Sequence, residues 1–232
     1  MSFADQGVIA AINVEVSQTV EKGDVLASLD SGAEAASVKL SQFQANRTQE
    51  ISAAEALQKF DQRNLERVQT LYQKKSISYN QLDEAETAAL ISNKKLQLAK
   101  ENKYQAELEL ELARQILARR TIHSPFSGIV IKRHKSIGEY LEGDAVLTLA
   151  QMKPLRVHVL MPVAQFGRIE TGMKARIVPE EPLSHLGSKA TVVIVDQVVD
   201  VASGTFGVQL QLDNDRGEIP GGLKCSAEFL AK

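Results

Sequence analysis

The sequence predicts an α+β protein, mainly β, with a long antiparallel α-helical hairpin inserted into one small β domain and a small β-barrel after it. Three observations carry this prediction. Leu82, Ala85, Ala89, Ser92, Leu96, Ala99, Lys103, Ala106, Leu110, Ala113 and Leu117 follow one another at alternating spacings of 3 and 4. Residues 7–30 and 128–150 repeat one pattern of glycines and short apolar runs. After Pro154 the chain breaks into short alternating stretches separated by turn residues.

The first β repeat occupies a segment bounded at 1–31. Val8, Ala10, Ile12, Val14 and Val16 alternate as in a half-buried strand. A polar turn and Gly23-Asp24 precede a second strand, Val25 to Leu29.

Residues 32–120 form the predicted hairpin. Between Ala33 and Lys75 there is no Gly or Pro, and good helix formers dominate. The first arm's apolar line starts with Val38, Leu40 and Phe43. It continues through Ile51, Ala54, Leu57 and Phe60 and ends with Leu65, Val68 and Leu71. Residues 44–50 are polar, which predicts a stutter or a loosened contact there. Ser76 to Asn80 is turn-like, and Ser78 or Asn80 can cap the next helix. That helix should run from Tyr79 to Arg120, roughly 60 Å at the α-helical rise. Nine of its eleven seam residues are Leu or Ala. Such an a/d seam lets a partner helix lie close. Lys103 is the one seam charge. Its stem should lie along the groove, with its ammonium reaching solvent or a carboxylate such as Glu50 or Glu55.

Residues 121–151 carry the second β repeat. Gly128 matches Gly7, and Gly143-Asp144 matches Gly23-Asp24. Either repeat alone is too small to bury a core, so the two copies should pair with each other. Residues 152–232 should then form a closed barrel. Strands are expected at 173–178, 189–199, 206–213 and 223–230, and one or two helical turns between Val163 and Glu170. Phe206, Val208, Leu210 and Leu212 alternate as on a sheet with one buried face.

Composition narrows function. The net charge is −2, which gives no support to nucleic-acid or anionic-membrane binding. The single cysteine, Cys225, cannot form an internal disulfide and reads as a buried structural thiol. No apolar run approaches the ~20 residues of a membrane-spanning helix. The four histidines, His123, His134, His158 and His185, are far apart and lack metal-ligand spacing. No phosphate-binding glycine loop and no nucleophile elbow is present. Catalytic, metal and cofactor sites are therefore not expected, and neither is an enzyme.

The order half-motif, hairpin, half-motif, barrel resembles the periplasmic adaptors of bacterial tripartite pumps, the membrane fusion proteins of the HlyD-like family. Each β repeat resembles half of a biotinyl/lipoyl domain. Thr121-Ile122-His123-Ser124-Pro125-Phe126-Ser127-Gly128-Ile129-Val130 resembles the family's opening of the second half. Val199 to Phe206, and Leu212-Asp213-Asn214 through Pro220-Gly221-Gly222-Leu223, resemble its barrel strands and turns. Arg67, Leu71 and Ser78 stand at spacings of four and seven. Alone they read as a solvated charge, a seam residue and a cap. Adaptors that dock onto a TolC-like outer-membrane channel carry an Arg, Leu, Ser signature at this place.

The resemblance implies a periplasmic adaptor that bridges an inner-membrane transporter, of the resistance-nodulation-division (RND) class, to a TolC-like channel through the hairpin tip. It implies self-association, with six copies in the pump. It also implies attachment to the inner membrane through an N-terminal segment missing here. An ABC-type or major-facilitator exporter is the alternative partner. A lipoyl or biotinyl carrier is the third reading, but it needs a lysine in the turn between its halves. Leu29-Asp30-Ser31-Gly32 has none, and the nearest are Lys22 and Lys39.

Overall fold

The computed structural model describes residues 1–2, 5–214 and 217–230. The chain divides into two compact units, one of residues 1–28 with 122–232 and one spanning Leu29–Thr121.

In the first unit the two β repeats interleave. Strands β1 (Gly7–Ile12), β2 (Thr19–Val20) and β3 (Val25–Leu29) come from the first repeat. Strands β4 (Thr121–His123), β5 (Gly128–Arg133), β6 (Tyr140–Leu141) and β7 (Leu147–Ala150) come from the second. One sheet runs β4-β3-β1-β6 and the other β2-β5-β7. Gly7 pairs with Leu141 and Val20 with Gly128, so each repeat completes the other's sheet. The matched positions behave alike. Gly23 and Gly143 both adopt positive φ, +97° and +87°, which favours glycine. The apolar pairs after them, Leu26-Ala27 and Val146-Leu147, are all buried. Val20 and Leu141, three and two residues before those glycines, are buried as well.

The phase of β1 differs from the alternation read in the sequence. Ile9 is 1% exposed and Val8 44% exposed, and Val16 also faces water. Val8 to Ile12 is apolar throughout, so hydropathy alone could not choose the face; only Val14 of the expected set is buried.

Five further strands, β8 (Leu155–Pro162), β9 (Lys174–Pro179), β10 (Ser188–Asp200), β11 (Thr205–Leu212) and β12 (Cys225–Phe229), form an antiparallel sheet in the order β12-β9-β10-β11-β8. Alternate residues of every strand enter one core cluster, including Val159, Ile177, Val192, Phe206, Leu210 and Phe229. The sheet is therefore curled around its own side chains. It is a half-barrel and not the closed barrel expected, because among the described residues the edge strands β8 and β12 do not pair. A cavity lined by Leu155, Val157, Pro179, Leu223 and Cys225 opens between those edges. This explains a second difference. Cys225 shares the inward parity of Ala227 and Phe229 but sits where the edge opens, and it is exposed. The segment after β8 forms a single 3-10 turn, Val163–Gln165.

The second unit contains α1 (Gly32–Ala45), α2 (Gln49–Gln73) and α3 (Tyr79–Ala118), with α1 and α2 both packed on α3. The polar stretch read as a stutter is a full break, Asn46 to Thr48, between α1 and α2. Arg120 meets Glu34 and Arg114 meets Gln42, so α1 and α3 run in opposite directions. The Leu29 N–H donates to the Arg120 carbonyl at 2.8 Å, which places the two ends of this unit side by side. Among the described residues, no helix is long and apolar enough to cross a membrane.

Candidate functional site

Helix α3 is built for close contact. Ala85, Ala89, Ala99, Leu110 and Ala113 are buried, and Leu82, Leu96, Ala106 and Leu117 are half-buried. Ser92 is 1% exposed, and its hydroxyl donates to the Ala89 carbonyl at 3.1 Å, so a polar residue sits in the seam without an unmet donor. Lys103 is half-buried and pairs with Glu107 at 3.6 Å on its own helix, not with Glu50 or Glu55. One turn along the same helix is a shorter reach than the facing arm.

The first arm presents a different line from the one its apolar residues suggest. Ile51, Ala54, Gln58, Asp61, Leu65 and Val68 are half-buried at spacings of 3 and 4. Leu40, Phe43, Leu57 and Phe60, read as seam residues, face water, Phe43 at 68% and Phe60 at 57% exposure. The register against α3 decides the buried face, and it admits Gln58 and Asp61 in place of the larger apolar side chains.

The reversal between α2 and α3 is the site the sequence singles out. Lys75 has φ +57°. Its N–H donates to the Tyr72 carbonyl at 2.8 Å, and the Ser76 N–H donates to the Leu71 carbonyl at 3.0 Å. These two bonds close α2 in a Schellman motif, with lysine where glycine is usual. Ser78 is the N-cap of α3, and its N–H donates to Gln81 Oε1 at 3.1 Å, as in a capping box. Two end motifs thus fix a five-residue turn with little slack.

Arg67 and Ser78 are exposed, and Leu71 is 39% exposed. Arg67 and Leu71 lie one turn apart on α2, and no ion pair holds Arg67 among the described residues. The Ser78 hydroxyl turns to Gln81 Oε1 at 3.3 Å. Sequence reasoning passed over two residues here. Tyr72 and Tyr79 meet edge to face across the turn, with ring centroids 6.4 Å apart, and both remain exposed. An aromatic on each side of a short turn was the available signal. Chemically the tip offers a guanidinium, an aliphatic side chain and two phenols on a stiff support. Among the described residues, no three His, Cys, Asp or Glu side chains converge as a metal site would require.

Comparison with known families decides the relationship. The family model for the CzcB-like, barrel-sandwich hybrid domain matches residues 4–151, well over half of the chain. The chain belongs to the CzcB-like barrel-sandwich hybrid family. Within that family description, the interleaved β repeats and the inserted helices fall inside the matched residues. The cobalt-zinc-cadmium resistance protein CzcB of Cupriavidus metallidurans is 25% identical over 214 residues, 90% of this chain and 38% of CzcB. An uncharacterized protein of Haemophilus influenzae is 21% identical over 219 residues, 94% of this chain and 50% of that protein. The chain thus spans half or less of these curated relatives. Among solved structures, MacA from Actinobacillus actinomycetemcomitans superposes with a TM-score of 0.80 at 19% identity, covering 98% of this chain and 72% of MacA. The membrane fusion protein Spr0693 from Streptococcus pneumoniae R6 gives 0.65 at 13% identity, with 97% and 90% covered. At these identities the likeness is one of fold.

Proposed function

We propose that this CzcB-like chain is the periplasmic adaptor of a tripartite efflux system, joining an inner-membrane transporter of the RND class to a TolC-like outer-membrane channel. The observation that carries the reading is the tip. A tightly fixed turn presents Arg67 and Leu71 to solvent at the far end of two helices from the Leu29–Arg120 base. In this reading α1, α2 and α3 act as an antiparallel coiled-coil hairpin. The protein sits in the periplasm, attached to the inner membrane, and works as a ring of six. Its task is assembly and sealing, with no bond chemistry.

The test is Arg67→Asp in cells whose export depends on this chain. Divalent cations form one challenge arm, since CzcB is named for cobalt, zinc and cadmium resistance. Hydrophobic drugs form the other. Export and channel cross-linking should be lost in the affected arm, while expression and Tm stay within the under ~1 kcal/mol effect of an exposed helix charge. Ser78→Arg should behave likewise. Full export by both variants would remove the tip from the reading.

A further inference from the structure

The cavity between the open edges of the half-barrel continues beyond them. At Leu155, Arg156, Gly221 and Gly222 it meets a second cavity, which reaches the face of β5 that bears Ile129 and Ile131. The first part encloses about 280 Å³ and the second about 800 Å³. Clefts that hold small molecules span ~300–1,000 Å³. Phe126, Ile129, Ile131, Met152 and Pro154 wall the larger part. Ile131 stands between the Val130–Leu149 and Lys132–Thr148 pairs as the extra residue of a β-bulge, and it is exposed. A bulge re-aims a side chain, and this one adds an isoleucine to the wall of the cleft.

The cleft is held open by its surroundings. Asn214 is 5% exposed, and its Nδ2 donates to the Met152 carbonyl at 3.2 Å and the Ile219 carbonyl at 2.8 Å. The Ile219 N–H donates back to Asn214 Oδ1 at 3.2 Å. One buried amide therefore ties the wall at Met152 to the loop that leads to Gly221 and Gly222. A Cβ at Gly221 would already touch the Met152 sulfur, at 3.5 Å, so a longer side chain there would close the waist.

The charge in the cleft is one-sided. Arg156 lines both parts and is exposed, and among the described residues no ion pair holds it. No Asp or Glu lines either part among the described residues. His158 and Cys225 belong to the smaller part. The larger, apolar part thus carries one permanent positive charge at its waist.

We infer that this cleft binds an amphiphile with one alkyl chain and one anionic head, a carboxylate or a phosphate. The chain lies along Phe126, Ile129, Ile131 and Met152, and the head takes the forked donors of Arg156. An uncharged chain leaves the guanidinium without a partner, and a cationic head meets like charge. The fixed walls keep the ordering cost of binding low. The site lies wholly in the β unit and needs neither the hairpin tip nor a ring, so it is independent of the adaptor reading.

Titration of the full chain with decanoate, followed by calorimetry and by methionine-methyl NMR, tests it. The Met152 methyl should shift saturably, while the Met161 and Met173 methyls, packed on the barrel core, stay in place. Octanoate is two methylenes shorter and should bind about tenfold more weakly, since each methylene removed from water is worth up to about fourfold in affinity. Decanol should also bind about tenfold more weakly than decanoate, and Arg156→Gln should bring decanoate down to the level of decanol. Arg156 is an exposed strand residue, so both of its variants should fold. Arg156→Glu should reverse the preference, toward decyltrimethylammonium. Decyl phosphate and vesicles of phosphatidylglycerol distinguish the sources of the head. Saturable binding of either free amphiphile supports the cleft, and the tighter one names the head. Capture by vesicles with neither free amphiphile bound would overturn the proposal. So would a Met152 methyl that does not move, equal binding of decanol and decanoate, or unchanged decanoate affinity in Arg156→Gln. None of these outcomes bears on export by Arg67→Asp, which tests the adaptor reading by itself.

Discussion

Arg120 donates through both Nε and Nη2 to a single carboxylate oxygen of Glu34, closing the base of the helical unit. Both side chains are largely shielded from solvent, and Arg120 also offers its carbonyl to the Leu29 N–H. Backbone hydrogen bonding and the Arg120 guanidinium hold the Glu34 carboxyl below its ordinary value near 4.5.

The pair makes the base acid-sensitive in a definite direction. A depressed folded pKa stabilises above the unfolded value and is lost as pH falls through the folded one. Thermal melts of the intact chain should therefore lose stability below about pH 4.5, and Glu34→Gln should flatten that slope. An unchanged acid slope in Glu34→Gln would assign the effect to other carboxylates.

The α3 seam should be unequal in its energetics. Leu110 is buried, so Leu110→Ala should cost roughly 2–4 kcal/mol by chemical denaturation. Leu96 is half-buried, and Leu96→Ala should cost clearly less. Lys103→Leu should be neutral or stabilising, since the ion pair it loses is a partly exposed one within its own helix and an apolar side chain suits the seam.

Gly128 is required by a close approach. A Cβ there would lie 2.3 Å from the Ala150 carbonyl oxygen and 3.2 Å from the Phe126 ring. Gly128→Ala should cost about 1–3 kcal/mol, because β5 must move off β7 or lose its pairing. Gly23→Ala serves as the contrast. It meets nothing within 4 Å and bears only the strain of positive φ.

Lys75 should respond in the opposite sense. It occupies the left-handed position of the Schellman motif without being glycine. Lys75→Gly should stabilise the unit by about 0.5–1 kcal/mol, the left-handed penalty removed less glycine's extra unfolded-state entropy. A lower Tm would mean that the lysine side chain supports the turn by a contact of its own.

What the sequence disclosed depended on how well composition and geometry agreed. On α3, Leu and Ala occupy the contact positions almost without interruption, and those are the positions the structure covers. On the first arm they disagree. Gln58 and Asp61 take contact positions while Phe43 and Phe60 stay outside, so apolarity pointed to the wrong face. The matched Gly-Asp pairs exposed the kinship of the β repeats because positive φ is a strong constraint on residue choice. The phase of β1 was hidden because five apolar residues in a row satisfy either face. At the tip, Arg67, Leu71 and Ser78 came from resemblance, whereas the Tyr72–Tyr79 contact needed coordinates. Cys225 was misread because parity placed it inward while the open sheet edge left it in water.

The adjacency of Leu29 and Arg120 has a kinetic meaning. The two halves of the β sandwich are separated by about 90 residues of chain, and closing so long a flexible loop costs about 4 kcal/mol in entropy. Once α1 and α2 have packed onto α3, the same two halves are tethered as closely as the ends of a tight turn. Local helical pairing, cheap in contact order, thus does the work of a long-range search. A chain slow to zip would leave two half-sheets with open edges, and that state is the one most exposed to aggregation.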